Sequence, residues 1–175
     1  MSIRATAMCL ALLPFFDVCR ADDCVGHPTP EPPLPLEQFK VVSAFGARRN
    51  PFSGRLAFHT GVDLKGPPSA AVSNMFDGRV VGLEVESGGT FTITIQHCGG
   101  WVSEYRHVVD PAVAVGHTVL RGWRLASTPR RSEPNHGARV HIGLSLNGRP
   151  VDPVPLFAGE ANSTAVPLHR GAMPQ

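Results

Sequence analysis

Apolar and polar residues alternate with a period of two through the middle of this chain. The runs are Arg79 to Val85, Thr90 to Gln96, Trp101 to His107 and Arg139 to Leu146, all rich in Val, Ile, Thr and aromatic residues. That period and composition predict half-buried strands. Glycine-rich breaks such as Ser87-Gly88-Gly89 separate the runs, and helical periodicity is nearly absent. The expected fold is therefore mostly β: a single β-sandwich-like domain built on an antiparallel sheet, with little helix. In the third run, alternation puts Ser103, Tyr105 and His107 on one face and Glu104 and Arg106 on the other. Tyr105 and His107 would then share a cleft, with Tyr105 as ordinary core an equal alternative.

The ends read differently. Arg4, the mostly apolar run Ala5 to Phe16 and the small-residue pattern around Cys19-Arg20-Ala21 have the form of an export signal (1–21), too short to span a bilayer. Pro-rich residues 22–37, including Pro28-Thr29-Pro30-Glu31-Pro32-Pro33, form an extended linker by composition. Residues 158–175, rich in Gly, Ala, Ser, Thr and Pro without periodicity, read as a disordered tail. With 175 residues, 42% of them hydrophobic, the remaining 38–157 can bury one core but not two.

Of four cysteines, Cys24 and Cys98 would remain after cleavage at Ala21. They form either one disulfide in an oxidising compartment or two independent thiols. The net charge of +2 is unremarkable. Arg48, Arg49, Arg130 and Arg131 could attract an anionic polymer, but scattered arginine pairs are more often a solvated surface. No segment has the form of a nucleic-acid module.

The chemistry concentrates in Phe58-His59-Thr60-Gly61-Val62-Asp63 and, far downstream, His141. In a straight strand His59 and Asp63 would lie about 13 Å apart, too far to share an ion. Thr60, Gly61 and Val62 are poor helix formers, so a kinked strand with Gly61 as its hinge is the expected way to bring the two together. Two imidazoles and a carboxylate suit zinc, and three protein ligands leave the fourth position that a catalytic site needs. Of the other histidines, His97 ends a strand and reads as structural or solvent-facing. His136, in a Pro- and Gly-rich loop, could swing toward the cleft. His27, His117 and His169 look incidental.

These residues stand in a longer ordered series: Phe45-Gly46-Ala47-Arg48-Arg49-Asn50-Pro51-Phe52-Ser53-Gly54, Phe58 to Asp63, Asp77-Gly78-Arg79-Val80-Val81, Tyr105-Arg106-His107, Val115-Gly116-His117-Thr118-Val119-Leu120-Arg121-Gly122, and Asn147-Gly148-Arg149-Pro150-Val151-Asp152-Pro153. The series resembles the lysostaphin and LytM type of zinc metallopeptidases, which cut peptide bonds in bacterial peptidoglycan, and the resemblance spans roughly Phe39 to Phe157. It implies a groove for an extended peptide, Zn2+ held by His59, Asp63 and His141, and His107 as one of two histidines that assist the water. The second histidine falls at position 139, where this chain has Arg139, and the usual glutamate two residues past the final His is replaced by Gly143.

Arg139 should point into the same cleft as His141, two residues on along a strand. A guanidinium cannot act as a base. It can stabilise an oxyanion or hold a carboxylate; equally, it can repel the ion and leave the site without a base. Two readings follow from the resemblance. One is an exported zinc endopeptidase, periplasmic or extracellular, acting on peptidoglycan stem or bridge peptides with His107 and Arg139 as the catalytic side chains. The other is a catalytically impaired domain that binds wall peptides or regulates another cell-wall hydrolase.

Overall fold

A computed structural model describes residues 33–34, 38–49, 54–130 and 138–157. The four alternating runs become the four long strands. They are β6 (Gly78–Val85), β7 (Phe91–His97), β8 (Trp101–Val108) and β11 (Ala138–Leu146). With β1 (Lys40–Ser43), β4 (Gly61–Gly66), β9 (Thr118–Val119) and β12 (Arg149–Pro150) they make one eight-stranded sheet in the order β1-β4-β11-β8-β7-β6-β9, with β12 paired to β11. Every pairing is antiparallel. Two small sheets flank it: β2 (Gly46–Arg49) with β3 (Leu56–His59), and β5 (Ala71–Ser73) with β10 (Arg124–Ser127). Among the described residues the named helical elements are one turn, α1 (Val154–Phe157), and a 3-10 turn at Cys98–Gly100. No helix among the described residues is long and apolar enough to cross a membrane.

One face of the large sheet is dry. Val62, Leu64, Val80, Ile93, Ile95, Val140, Ile142 and Leu144 are buried there beneath Val72, Met75, Leu125 and Ala126. This is the two-layer solution that a sheet apolar on one face requires. Tyr105 is fully buried in this core. Its hydroxyl accepts the Met75 N–H at 3.0 Å and donates to Asn74 Oδ1 at 3.4 Å, and burial pushes its pKa up to about 12. Of the two placements open for Tyr105, the core is the one found.

His97 is also structural. It is buried, donates from Nδ1 to the Asp77 carbonyl at 3.0 Å and accepts the Ser103 hydroxyl at Nε2 at 2.7 Å. Burial depresses its pKa to about 4, so it is neutral at neutral pH. His117 lies at the surface in a local bond with Ala114 N–H.

Within the stretch expected to act as a linker, Leu34 sits in the core at 2% exposure, and the Pro33 carbonyl accepts the Ser73 N–H at 2.8 Å. The export signal, the tail, His27, His136, His169, Cys24 and Arg131 lie outside the described residues. Cys98 is disulfide-bonded, and the other three cysteines also lie outside the described residues. Arg49 donates to the Gly54 carbonyl, while Arg130 pairs with Asp110 at 2.9 Å in the open. An exposed pair of this kind adds little stability.

Candidate metal centre

The chain changes sheets at Thr60. β3 ends in the small sheet at His59, and β4 begins in the large sheet at Gly61. That step brings His59 Nε2 to 3.2 Å from Asp63 Oδ1. Asp63 is in turn directly opposite His141 in the β4–β11 register. The Nδ1 of His141 is 2.9 Å from the same carboxylate oxygen and 3.2 Å from His59 Nε2. Three ligand atoms from two sheets thus surround one point. Both imidazoles are 7% exposed, and Asp63 is half-buried.

The protonation states explain why that point suits a cation. His59 Nδ1 is 2.8 Å from the Ala44 carbonyl, which can only accept, so the ring donates there and turns a lone pair at Nε2 inward. Burial alone would raise the Asp63 pKa, but the hydrogen bond with His141 and the nearby His59, His141 and Arg48 outweigh it and hold the carboxyl below its usual range. Three electron-rich atoms with one shared His141 proton among them are the donor set of a three-ligand zinc site. Around a tetrahedral zinc with bonds of about 2.1 Å such atoms stand about 3.4 Å apart. The separations of 2.9 to 3.2 Å need only a few tenths of an ångström of opening, so the residues fit the ion.

Gly61 serves this site in a way that differs from the hinge expected of it. Its φ is not among the positive ones, and the break falls at Thr60. What it supplies is room. A Cβ there would stand 2.7 Å from His141 Nε2 and closer still to the Ile142 carbonyl oxygen, so the ring lies flat over a position only glycine can fill. Across the pair, Gly143 faces both Gly61 and Glu104. A groove of about 220 Å³ opens there beside His141, lined in part by Thr60, Val102, Glu104, Gly143 and Ser145.

His107 does not lie where strict alternation puts it. Phe91 pairs with Val108 and Ile93 with Tyr105, so Thr92 alone faces both Arg106 and His107. This is a β-bulge, which places two consecutive side chains on one side of the sheet. His107 also has φ 61°, a left-handed backbone uncommon outside glycine. Its ring stands at the exposed rim, away from the core face of Ser103 and Tyr105, with Nδ1 2.8 Å from Glu86 Oε2. Tyr105 and His107, expected by alternation to share a face, therefore lie on different ones: Tyr105 is in the core and His107 is exposed. Arg106, directly opposite His141, pairs with Glu104 at 3.2 Å. Arg139 is exposed on β11 and faces Lys65 across the β4 pair.

The sheet and its His-Asp-His cluster define a domain of the metallopeptidase type. The chain belongs to peptidase family M23, whose profile matches residues 57–153. It is 31% identical over 123 residues to an uncharacterised metalloprotease of Haemophilus influenzae, a match covering 69% of this chain and 26% of that protein. It is 28% identical over 120 residues to the DD-carboxypeptidase/endopeptidase Mpg of Neisseria meningitidis, covering 69% and 27%. Among solved structures, a zinc-containing peptidase from Vibrio cholerae superposes with a TM-score of 0.61 at 26% identity, over 68% of this chain and 37% of that one. The chain thus spans about a quarter of the length of the curated relatives it matches.

Proposed function

We propose that this chain is a zinc endopeptidase that hydrolyses peptide bonds in bacterial peptidoglycan. The observation that carries the reading is the meeting of His59 Nε2, Asp63 Oδ1 and His141 Nδ1 at one point beside an open groove, in a chain of a peptidase family. Zinc held by these three residues would supply Lewis acidity that polarises a peptide carbonyl and acidifies water.

The chain's own groups supply the rest. The bond to Ala44 fixes the His59 ring, and Asp63 contributes the negative charge. With Nδ1 engaged by Glu86, His107 has Nε2 available to accept a proton from water and to return it to the leaving amine. Arg139 is a fixed positive charge on the His141 face, suited to an oxyanion or a substrate carboxylate. The groove beside His141 suits an extended peptide of the stem or bridge type. Export to a periplasm or the exterior agrees with such a substrate and with the disulfide at Cys98.

Arg139 also carries the second reading: a domain that holds zinc but cleaves weakly, and binds wall peptides or regulates another hydrolase. One experiment separates the two. Zinc-loaded protein is incubated with defined crosslinked muropeptides and new amine termini are sought by mass spectrometry, with His59→Ala as control and Arg139→His in parallel. Cleavage by the unaltered chain that vanishes in His59→Ala supports the peptidase. Zinc binding without cleavage, with activity appearing only in Arg139→His, supports the impaired domain instead.

A further inference from the structure

Glu86 is built to hold something. It follows β6 at the start of the β6–β7 turn, its N–H donates to the Thr90 carbonyl at 2.8 Å, and its side chain is 16% exposed. The Thr92 hydroxyl donates to Oε1 at 2.6 Å and the Thr90 hydroxyl donates to Oε2 at 2.7 Å. Burial opposes the charged form, yet the bonds from Thr92, Thr90 and His107 outweigh it and bring the pKa down to about 2. The result is a permanently charged carboxylate clamped by two threonines. The Arg106 Nε lies 3.6 Å from Oε1, and the remaining acceptor capacity of Oε2 is taken by His107 Nδ1 at 2.8 Å.

The backbone is irregular where His107 meets that carboxylate. The bulge sets Arg106 and His107 together opposite Thr92, whose hydroxyl binds the same Glu86. His107 itself has a left-handed backbone, φ 61°. Sparsely populated backbone conformations persist only where surrounding contacts over-determine them, and they gather at functional sites. The location matters because Arg106 is directly opposite His141. Strand spacing and rise then put the His107 backbone about 6 Å from that of His141.

We propose that Glu86 is a positioning residue that fixes His107 as the Nδ1–H tautomer, so that Nε2 presents its lone pair over the metal-cluster face of the sheet. A carboxylate bonded to one ring nitrogen sets which nitrogen carries the proton and which is free to take one. His107 would be the proton acceptor, and Glu86 would act only through it. This rests on the peptidase reading for its consequence, but not for its geometry.

The test uses the full chain with 15N-labelled histidine. Ring-nitrogen shifts are recorded for the metal-free and zinc-loaded forms of the unaltered protein, Glu86→Gln and Glu86→Ala. The glutamine can still bond both threonines and accept from His107, and so controls for the fold of the turn. The expected result is Nδ1–H at His107 in the unaltered chain, retention in Glu86→Gln and a change to mainly Nε2–H in Glu86→Ala. Against muropeptides, Glu86→Ala should lower kcat about 10-fold, a fraction of what a positioned base typically supplies, with KM within about twofold. A His107 tautomer that is the same in Glu86→Ala overturns the proposal. So does a shifted tautomer with kcat unchanged. If the unaltered zinc form cleaves nothing, the peptidase reading fails, while the ring-nitrogen spectra still decide what Glu86 does.

Discussion

Replacing Gly61 by alanine should disable the proposed metal centre through packing alone. The added methyl would lie 2.7 Å from His141 Nε2, and nearer to the Ile142 carbonyl oxygen, an acceptor on the neighbouring strand. Ordinary contact is at least 3.4 Å, so ring or strand must give by about 1 Å. Forcing a methyl into a packed position costs roughly 1–3 kcal/mol. Weakening a β4–β11 hydrogen bond adds about 1 kcal/mol, for a loss near 3 kcal/mol. Because the ring that moves is one of the three proposed ligands, zinc affinity should also fall by about 10- to 100-fold, the usual effect of disturbing what orients a ligand. Urea unfolding of the metal-free protein and zinc titration against a chromophoric chelator read the two effects separately. Gly143→Ala is the matched control, since its methyl would meet Glu104 Cβ at 3.4 Å and His141 Nε2 at 3.6 Å, which is normal contact. If Gly61→Ala and Gly143→Ala unfold and bind zinc alike, close approach is not what Gly61 provides.

Other consequences can be measured in the same way. His97 titrates near 6.5 when unfolded and about 4 when folded, so the stability it allows is complete above pH 6.5 and is lost as pH falls to 4. At about 1.4 kcal/mol per tenfold difference in proton affinity, that is about 3 kcal/mol, and His97→Gln should flatten this part of the curve in urea melts. A slope unchanged by the substitution would contradict the assignment. Tyr105→Phe leaves the Met75 N–H without its acceptor and should cost about 1–3 kcal/mol; equal midpoints in denaturant would show the bond to be dispensable. Leu34→Ala should cost about 2–5 kcal/mol if the Pro-rich segment is part of the core, whereas a spacer would tolerate it.

The long strands were readable because each runs for seven residues or more, long enough for a period of two to stand out in the sequence. β2, β9 and β12 were not, being two to four residues long and mostly exposed. His59, Asp63 and His141 were legible as residue types in a known order, and the structure brings their ligand atoms together. The side of the sheet on which His107 lies was not legible. A bulge is a property of pairing, one residue of β7 against two of β8, and no pattern within β8 alone records it. Glu86 was missed for a related reason. Its neighbours Thr90 and Thr92 become partners only once the hairpin closes, although a carboxylate just before Ser87-Gly88-Gly89 with threonines beyond was the available signal.

The step at Thr60 means that the cluster joins two separate sheets: His59 belongs to the β2–β3 ribbon, whereas Asp63 and His141 belong to the large sheet. An ion bound there would act as a clasp between a small flap and a rigid plate. Whatever free energy the clasp gains from a docked ribbon, the ribbon gains from the clasp, since such coupling is reciprocal. A ligand at a hundred times its dissociation constant adds about 2.7 kcal/mol to the state it binds, enough to hold a ribbon of two four-residue strands in place. Removing such an ion should therefore loosen the strands Gly46–Arg49 and Leu56–His59 first, leaving the β6–β7–β8 plate intact.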